Sequence, residues 1–201
     1  MLNHCMGQMM FLINKKYICS TVIVLGLVVV NGFSTVSAAQ WRLTPQSKIS
    51  FHIKSLGLST VKGNFNQFQS KMRFDPLTPN ASRLEFQMDS RNVTLSSPAL
   101  KNLILGSDYF FVEKYNTVKF VSSSVQQLNT QRYSVKGNLT IRGVTQPVVF
   151  DTQLIPNVSN VKLLDVHAKT VIDRTSFGMK KSLGGVGEKV NIEVKGQWKM
   201  Q

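Results

Sequence analysis

Two of the three histidines, two carboxylates and one glycine-rich loop are the groups in this 201-residue chain whose types invite a chemical reading. His52 and His167 are the residues a metal or proton-transfer site needs, but metal sites need clustered donors. Neither lies near a cysteine or within an HExxH-like spacing, so each reads as a strand-surface residue. Asp173 and Glu188 would form an acid–base pair only if folding brought them together, and their spacing gives no sign of that. No GxSxG elbow or marked Ser, His and acid set is present for nucleophilic catalysis. The loop Gly184, Gly185, Val186, Gly187 has bare N–H groups of the kind that wrap anions. It matches neither the P-loop nor the dinucleotide fingerprint, and it precedes a strand where those motifs precede a helix, so it reads as a connection. The expectation is a protein without catalytic activity, metal or cofactor.

The elements that carry these residues are strands. Tyr133, Val135, Leu139 and Ile141 recur every second residue, which puts them on one face of an extended segment. Arg142 and Gly143 then break the run, Gly tolerating the positive φ of a tight turn. A two-residue turn sets Ile141 opposite Val144 and Val135 opposite Phe150, and Pro147, lacking an N–H, is expected at an unpaired or bulged position. Ile49, Phe51 and Ile53 alternate likewise, as do Val61, Gly63 and Phe65, then Leu84, Phe86 and Met88. Val190, Ile192, Val194, Gly196 and Trp198 hold a strict period of two, and about eight strands emerge.

One segment reads as helical: Ser97 as cap, Pro98 in the first turn, and an apolar stripe of Leu100, Leu103 and Ile104. It leads into the aromatic cluster Tyr109, Phe110 and Phe111. Eight antiparallel strands with one apolar face form either a two-layer sandwich or a closed barrel, and periodicity does not separate them.

Lys15 and Lys16 precede an uncharged run from Tyr17 to Val30, with small residues following at Ser37, Ala38 and Ala39. This is the pattern of a cleaved secretory signal peptide over residues 1–39, too short in its apolar core for a spanning helix. A single domain over 40–201 remains, and both cysteines, Cys5 and Cys19, fall in the removed part. Stability must therefore come from packing and strand pairing. Lys15 and Lys16 are two of the 24 basic residues; the other 22 stand against 10 acidic ones. They are scattered singly through alternating strands, which fits a solvated outer face with a secondary attraction to anionic lipid surfaces rather than a nucleic-acid site.

With these landmarks in place the chain resembles the YceI-like family of exported polyisoprenoid-binding proteins. The resemblance runs from Trp41 to Met200 and rests on WRLTPQSKISFHI from Trp41, GNF from Gly63, SDYFFVEKY from Ser107, GNLTIRGVTQPV from Gly137 and DRTSFGM from Asp173. It implies an all-β, eight-stranded antiparallel, lipocalin-like barrel with one short helical insertion. It also implies a periplasmic location, no catalysis, and a lumen that holds a long isoprenoid tail. Thr44, Ser47 and Lys48 stand where the family often has Asp, His and Ser, and Ser55 replaces a frequent His. Phe111 stands for a common Asp and Asn116 for a Pro, so the resemblance carries over the apolar lining and not the polar head-group contacts.

The expected function is therefore an exported carrier or store of a polyprenol- or quinone-type lipid, bound without covalent attachment beneath the helix. On the first strands its lining is expected from Phe51, Ile53, Phe65 and Phe74, followed by Leu84 and Phe86. Leu103, Tyr109 and Phe110 are expected to close it from the helical side, with Phe120, Leu139, Ile141 and Phe177 completing the wall. Arg142 and Arg174 are expected to pin turns through hydrogen bonds. Rival readings are a solid β-sandwich acting as a structural or adhesive module and, more remotely, a lipid-modifying enzyme with His52 and His167 at a lumen mouth. Monomer and homodimer both remain open.

Overall fold

The hairpin that alternation demands is present in the computed structural model, which describes residues 39–55, 58–181 and 186–201. Strands β8 (Arg132–Ile141) and β9 (Val144–Pro156) pair with Ile141 opposite Val144 and Val135 opposite Phe150. Arg142 and Gly143 take φ of 52° and 75°, the twin positive angles of a type I′ turn. Pro147 lies in the ladder opposite Asn138 rather than in a bulge. Hydrogen-bonded pairs alternate outward from the closing pair, so the nitrogen of Pro147 faces away from β8. Strand β10 (Leu163–Asp173) pairs with β9 only from Asp151 onward, so no donor is missed there.

Eight strands close into a ring, which excludes the sandwich. Strand β1 (Ala39–Leu43) pairs on one side with β4 (Phe68–Phe74) and on the other with β11 (Val186–Met200). The circuit then runs through β5 (Arg83–Asp89), β7 (Thr117–Gln127), β8, β9 and β10 back to β11. Three further strands, β2 (Lys48–Ser55), β3 (Leu58–Phe65) and β6 (Val93–Leu95), extend the wall from β11. They continue β1, β4 and β5 past a break in each, at residues 44–47, 66–67 and 90–92. At the first break four residues span only two on β11, and the Gln197 amide donates to Ser47 Oγ at 3.2 Å.

The ring is packed solid at the β1 end, where Trp41, Leu43, Met72 and Phe74 are buried and Phe74 meets Tyr133 edge-on at 5.7 Å. At the other end the segment between β6 and β7 folds over the barrel as a cap. Pro98–Leu100 form a turn of 3-10 helix and Lys101–Leu105 form α1. Ser97 makes no side-chain cap; Pro98 and the closing turn around Gly106 delimit this helix instead. The cap is tied to the hairpin tip: Arg142 Nη1 donates to the Tyr109 carbonyl at 2.8 Å, and its guanidinium lies 6.0 Å from the Phe111 ring. Phe111 holds φ of 50°, an αL angle uncommon for an aromatic residue, and packs edge-on against Tyr115 at 5.9 Å. Residues 1–38, where the leader is expected, and Gly184 and Gly185 lie outside the described residues. Among those described, no helix is long and apolar enough to cross a membrane.

Candidate functional site

The period of two seen in the sequence becomes a lumen wall, because alternate side chains of a closed barrel point inward. Strand β11 contributes Val190, Ile192, Val194 and Trp198, β10 adds Val166, Ala168 and Ile172, and β2 adds Ile49, Phe51 and Ile53. Between them the interior leaves about 90 Å³ open to the centre of a water-sized sphere, a slit rather than a wide tube. Phe86 and Ile192 face this space and are only half-buried, though both point inward.

Aromatic rings divide the slit into two levels. Near the cap Phe51, Phe65 and Phe110 meet at centroid distances of 5.8, 5.8 and 6.2 Å. Deeper, Phe86 lies 5.4 Å from Trp198 and 6.4 Å from Phe120, which meets Phe150 at 5.1 Å. Two glycines let these rings lie flat on the wall. A Cβ on Gly63 would come 2.3 Å from Phe51 Cζ, and one on Gly137 would come 2.5 Å from Phe120 Cζ. The Trp198 indole N–H is buried without an acceptor among the described residues, so its ring is held there by packing alone.

Among the described residues, one charged group lines the lumen. Arg174, in the short 3-10 turn Arg174–Phe177, has no exposed surface. Its Nε donates to the Gly187 carbonyl at 3.1 Å, its Nη1 to the Lys180 carbonyl, and its guanidinium lies 5.2 Å from the Tyr109 ring. Arg174 and Arg142 therefore do pin turns, and both bear on Tyr109, one on its ring and one on its carbonyl. The lumen-facing position of Arg174 was not legible, since a lone arginine in a turn carries no periodic signal.

Ten of the thirteen lining candidates converge on the slit: Phe51, Ile53, Phe65, Leu84, Phe86, Tyr109, Phe110, Phe120, Leu139 and Ile141. Three do not. Phe74 sits in the packed end against Tyr133, and Phe177 is buried outside the lumen lining. Leu103 is 48% exposed, because α1 is five residues long and turns only Ile104 fully inward. Sequence reasoning also passed over Val190, Ile192, Val194 and Trp198, although their alternation was plain.

The histidines and carboxylates are placed elsewhere. His52 and His167 flank β11 on its outer face, in register with Asn191 and Lys195. His167 Nε2 lies 2.6 Å from Glu193 Oε1, and this bond above all holds the Glu193 carboxyl below its ordinary pKa. Asp173 caps the Arg174 turn by accepting from the Thr175 amide and hydroxyl at 2.9 and 2.6 Å, bonds that lower its pKa. Among the described residues, no group of three His, Cys, Asp or Glu side chains is placed to hold a metal.

The model of the YceI-like domain matches residues 41–198. The chain belongs to the YceI-like family. A UPF0312 protein of Ectopseudomonas mendocina is 27% identical over 85% of this chain and 91% of its own length. One of Vibrio cholerae is 31% identical over 54% of this chain, and the chain spans 58% of that relative. The crystal structure of Burkholderia cenocepacia BcnA superposes with a TM-score of 0.71 at 22% identity, covering 77% of this chain and 98% of that one. A polyisoprenoid binding domain from Saccharophagus degradans, implicated in plant cell wall breakdown, has a TM-score of 0.61 at 10% identity, covering 82% and 99%. These likenesses establish the YceI-like barrel as the fold of this chain.

Proposed function

We propose that this protein is a non-catalytic carrier or store of a long-chain isoprenoid lipid, exported by its amino-terminal leader to the periplasm. The observation that carries the reading is the lumen lining, which among the described residues is aliphatic and aromatic except for Thr152 and the hydrogen-bonded Arg174. A structural neighbour being a polyisoprenoid binding domain supports the same ligand class. At about 0.3 kcal/mol per heavy atom, a tail of about 40 carbons yields roughly −12 kcal/mol without any head-group contact. Phe86 and Ile192, half-buried although they face the slit, are the side chains whose rotamer changes would begin to widen it for such a tail. The test is mass spectrometry of solvent extracts from protein purified out of its native compartment, followed by reloading with a polyprenol. One lipid per chain and a raised melting temperature are expected, since a ligand of the native state stabilises it by mass action. No extractable lipid and no thermal shift after reloading overturn the reading.

A further inference from the structure

The three strand breaks fall on neighbouring strands, and together they open a second concavity on the outside of the barrel. This groove holds about 650 Å³ of free space, within the range of about 300–1,000 Å³ typical of small-molecule sites. Its lining differs from that of the lumen. Five carboxamides, Asn66, Gln67, Gln69, Gln87 and Asn116, converge on it from β4, β5 and the connections around them. Gln69 and Gln87 are cross-strand partners, both exposed, and their side chains bond to no other described residue. Asn66, Gln67 and Asn116 each commit one amide atom, to Thr94, Asn92 and Thr117, and keep the other. The charges at the groove are already matched: Arg91 Nη2 meets Asp89 Oδ2 at 2.8 Å. The surface therefore offers many neutral donors and acceptors.

Met88 belongs to both cavities. It is 5% exposed and lines the lumen on one side and the groove on the other, beside half-buried Phe68. Met88, whose unbranched thioether is the most adaptable of apolar fillers, thus stands between the apolar slit and the amide-lined groove.

We infer that the groove is the head-group site for the lipid whose tail occupies the lumen, and that it selects an uncharged, polyhydroxylated head such as a glycosyl group. The inference rests on the lumen being a lipid site. Sugars present hydroxyls that donate and accept at once, and carboxamides match them because each carries both functions. A phosphate would instead need an unpaired cation, whereas Arg91 is held by Asp89. Met88 swings aside to let the tail pass from groove to slit.

Paired probes test this: dodecanol and dodecyl maltoside below its micellar concentration, titrated into the mature protein by calorimetry. Both are expected to bind, the maltoside at least about tenfold more tightly, from a few added hydrogen bonds. The surface variant Gln69→Ala/Gln87→Ala is expected to lose that preference while its dodecanol affinity stays unchanged. Equal affinity for the two probes in the wild type, or a maltoside preference that survives in the variant, overturns the head-group site and leaves the lumen reading standing. Failure of both probes to bind overturns the two together.

Discussion

The ring of Phe51 lies across Gly63, its register partner on the adjacent strand, so closely that a β-carbon on Gly63 would stand 2.3 Å from Phe51 Cζ. The missing side chain on one strand thus sets the position of a ring on the next. Gly63→Ala must drive Phe51 off the wall toward Phe65 and Phe110, and overpacking of this kind costs about 1–3 kcal/mol. Denaturant unfolding is expected to show that loss. An unchanged midpoint would mean that the ring has somewhere else to go.

Arg142 joins the hairpin tip to the cap. Arg142→Ala removes the bond to the Tyr109 carbonyl and the contact with the Phe111 ring, for a loss of about 1–2 kcal/mol. Amide exchange in residues 106–112 is expected to accelerate more than in β8. Uniform acceleration would assign the effect to the turn instead of the cap.

Arg174 is buried with its donors on backbone carbonyls. Arg174→Met leaves the Gly187 and Lys180 carbonyls short of a donor and is expected to cost about 2–4 kcal/mol in thermal or denaturant unfolding. A neutral or stabilising outcome would show that these carbonyls find other partners.

A charge in the slit should separate lipid binding from folding. Ile192→Glu is expected to abolish lipid retention and to destabilise by about 3 kcal/mol at neutral pH, because the carboxylate is buried among apolar walls. Burial raises the pKa of such a group, so the destabilisation shrinks as pH falls and the carboxyl takes up its proton. Lipid retained by the variant at neutral pH would place the tail elsewhere.

Asp89 sets an acid limit. Its hydrogen bonds from Arg91 lower its pKa from 3.8 to about 2. A carboxyl depressed on folding stabilises fully above its unfolded pKa and loses that contribution as pH falls through the folded one. Wild-type stability is therefore expected to drop between pH 4 and 2 by more than that of Asp89→Asn, read as urea midpoints across that window. Parallel curves would show that the pair is screened by solvent.

The hairpin register and the closing strand were legible because each rests on local alternation and one turn. Ile141 opposite Val144 follows from the position of Arg142 and Gly143 alone. Parity, however, tells which face a side chain takes and not its height along the barrel. Phe74 accordingly reads as lining although it sits in the packed end. The break at residues 44–47 was hidden because the odd-numbered alternation of Trp41 and Leu43 resumes in phase at Ile49. At 66–67 and 90–92 the phase shifts, from Phe65 to Phe68 and from Met88 to Val93, a signal that sequence reasoning passed over; eight segments were expected where eleven form among the described residues. Arg174 and the amide groove were illegible for a different reason. Arg174 lies in a turn with no periodic signal, and the carboxamides of the groove come together only when β4, β5 and the residues before β7 become neighbours.

Among the described residues, closure leaves β9 without a strand partner on one margin over residues 144–150, which Gln146 bridges in part by donating to the Ser176 carbonyl at 3.0 Å. Pro147 stands mid-margin, and without a donor there a second molecule finds no continuous template on which to add a strand. The same imide that spares the barrel an unmet hydrogen bond therefore discourages fibrillar stacking of one copy on the next, a safeguard for a chain that must close its own ring.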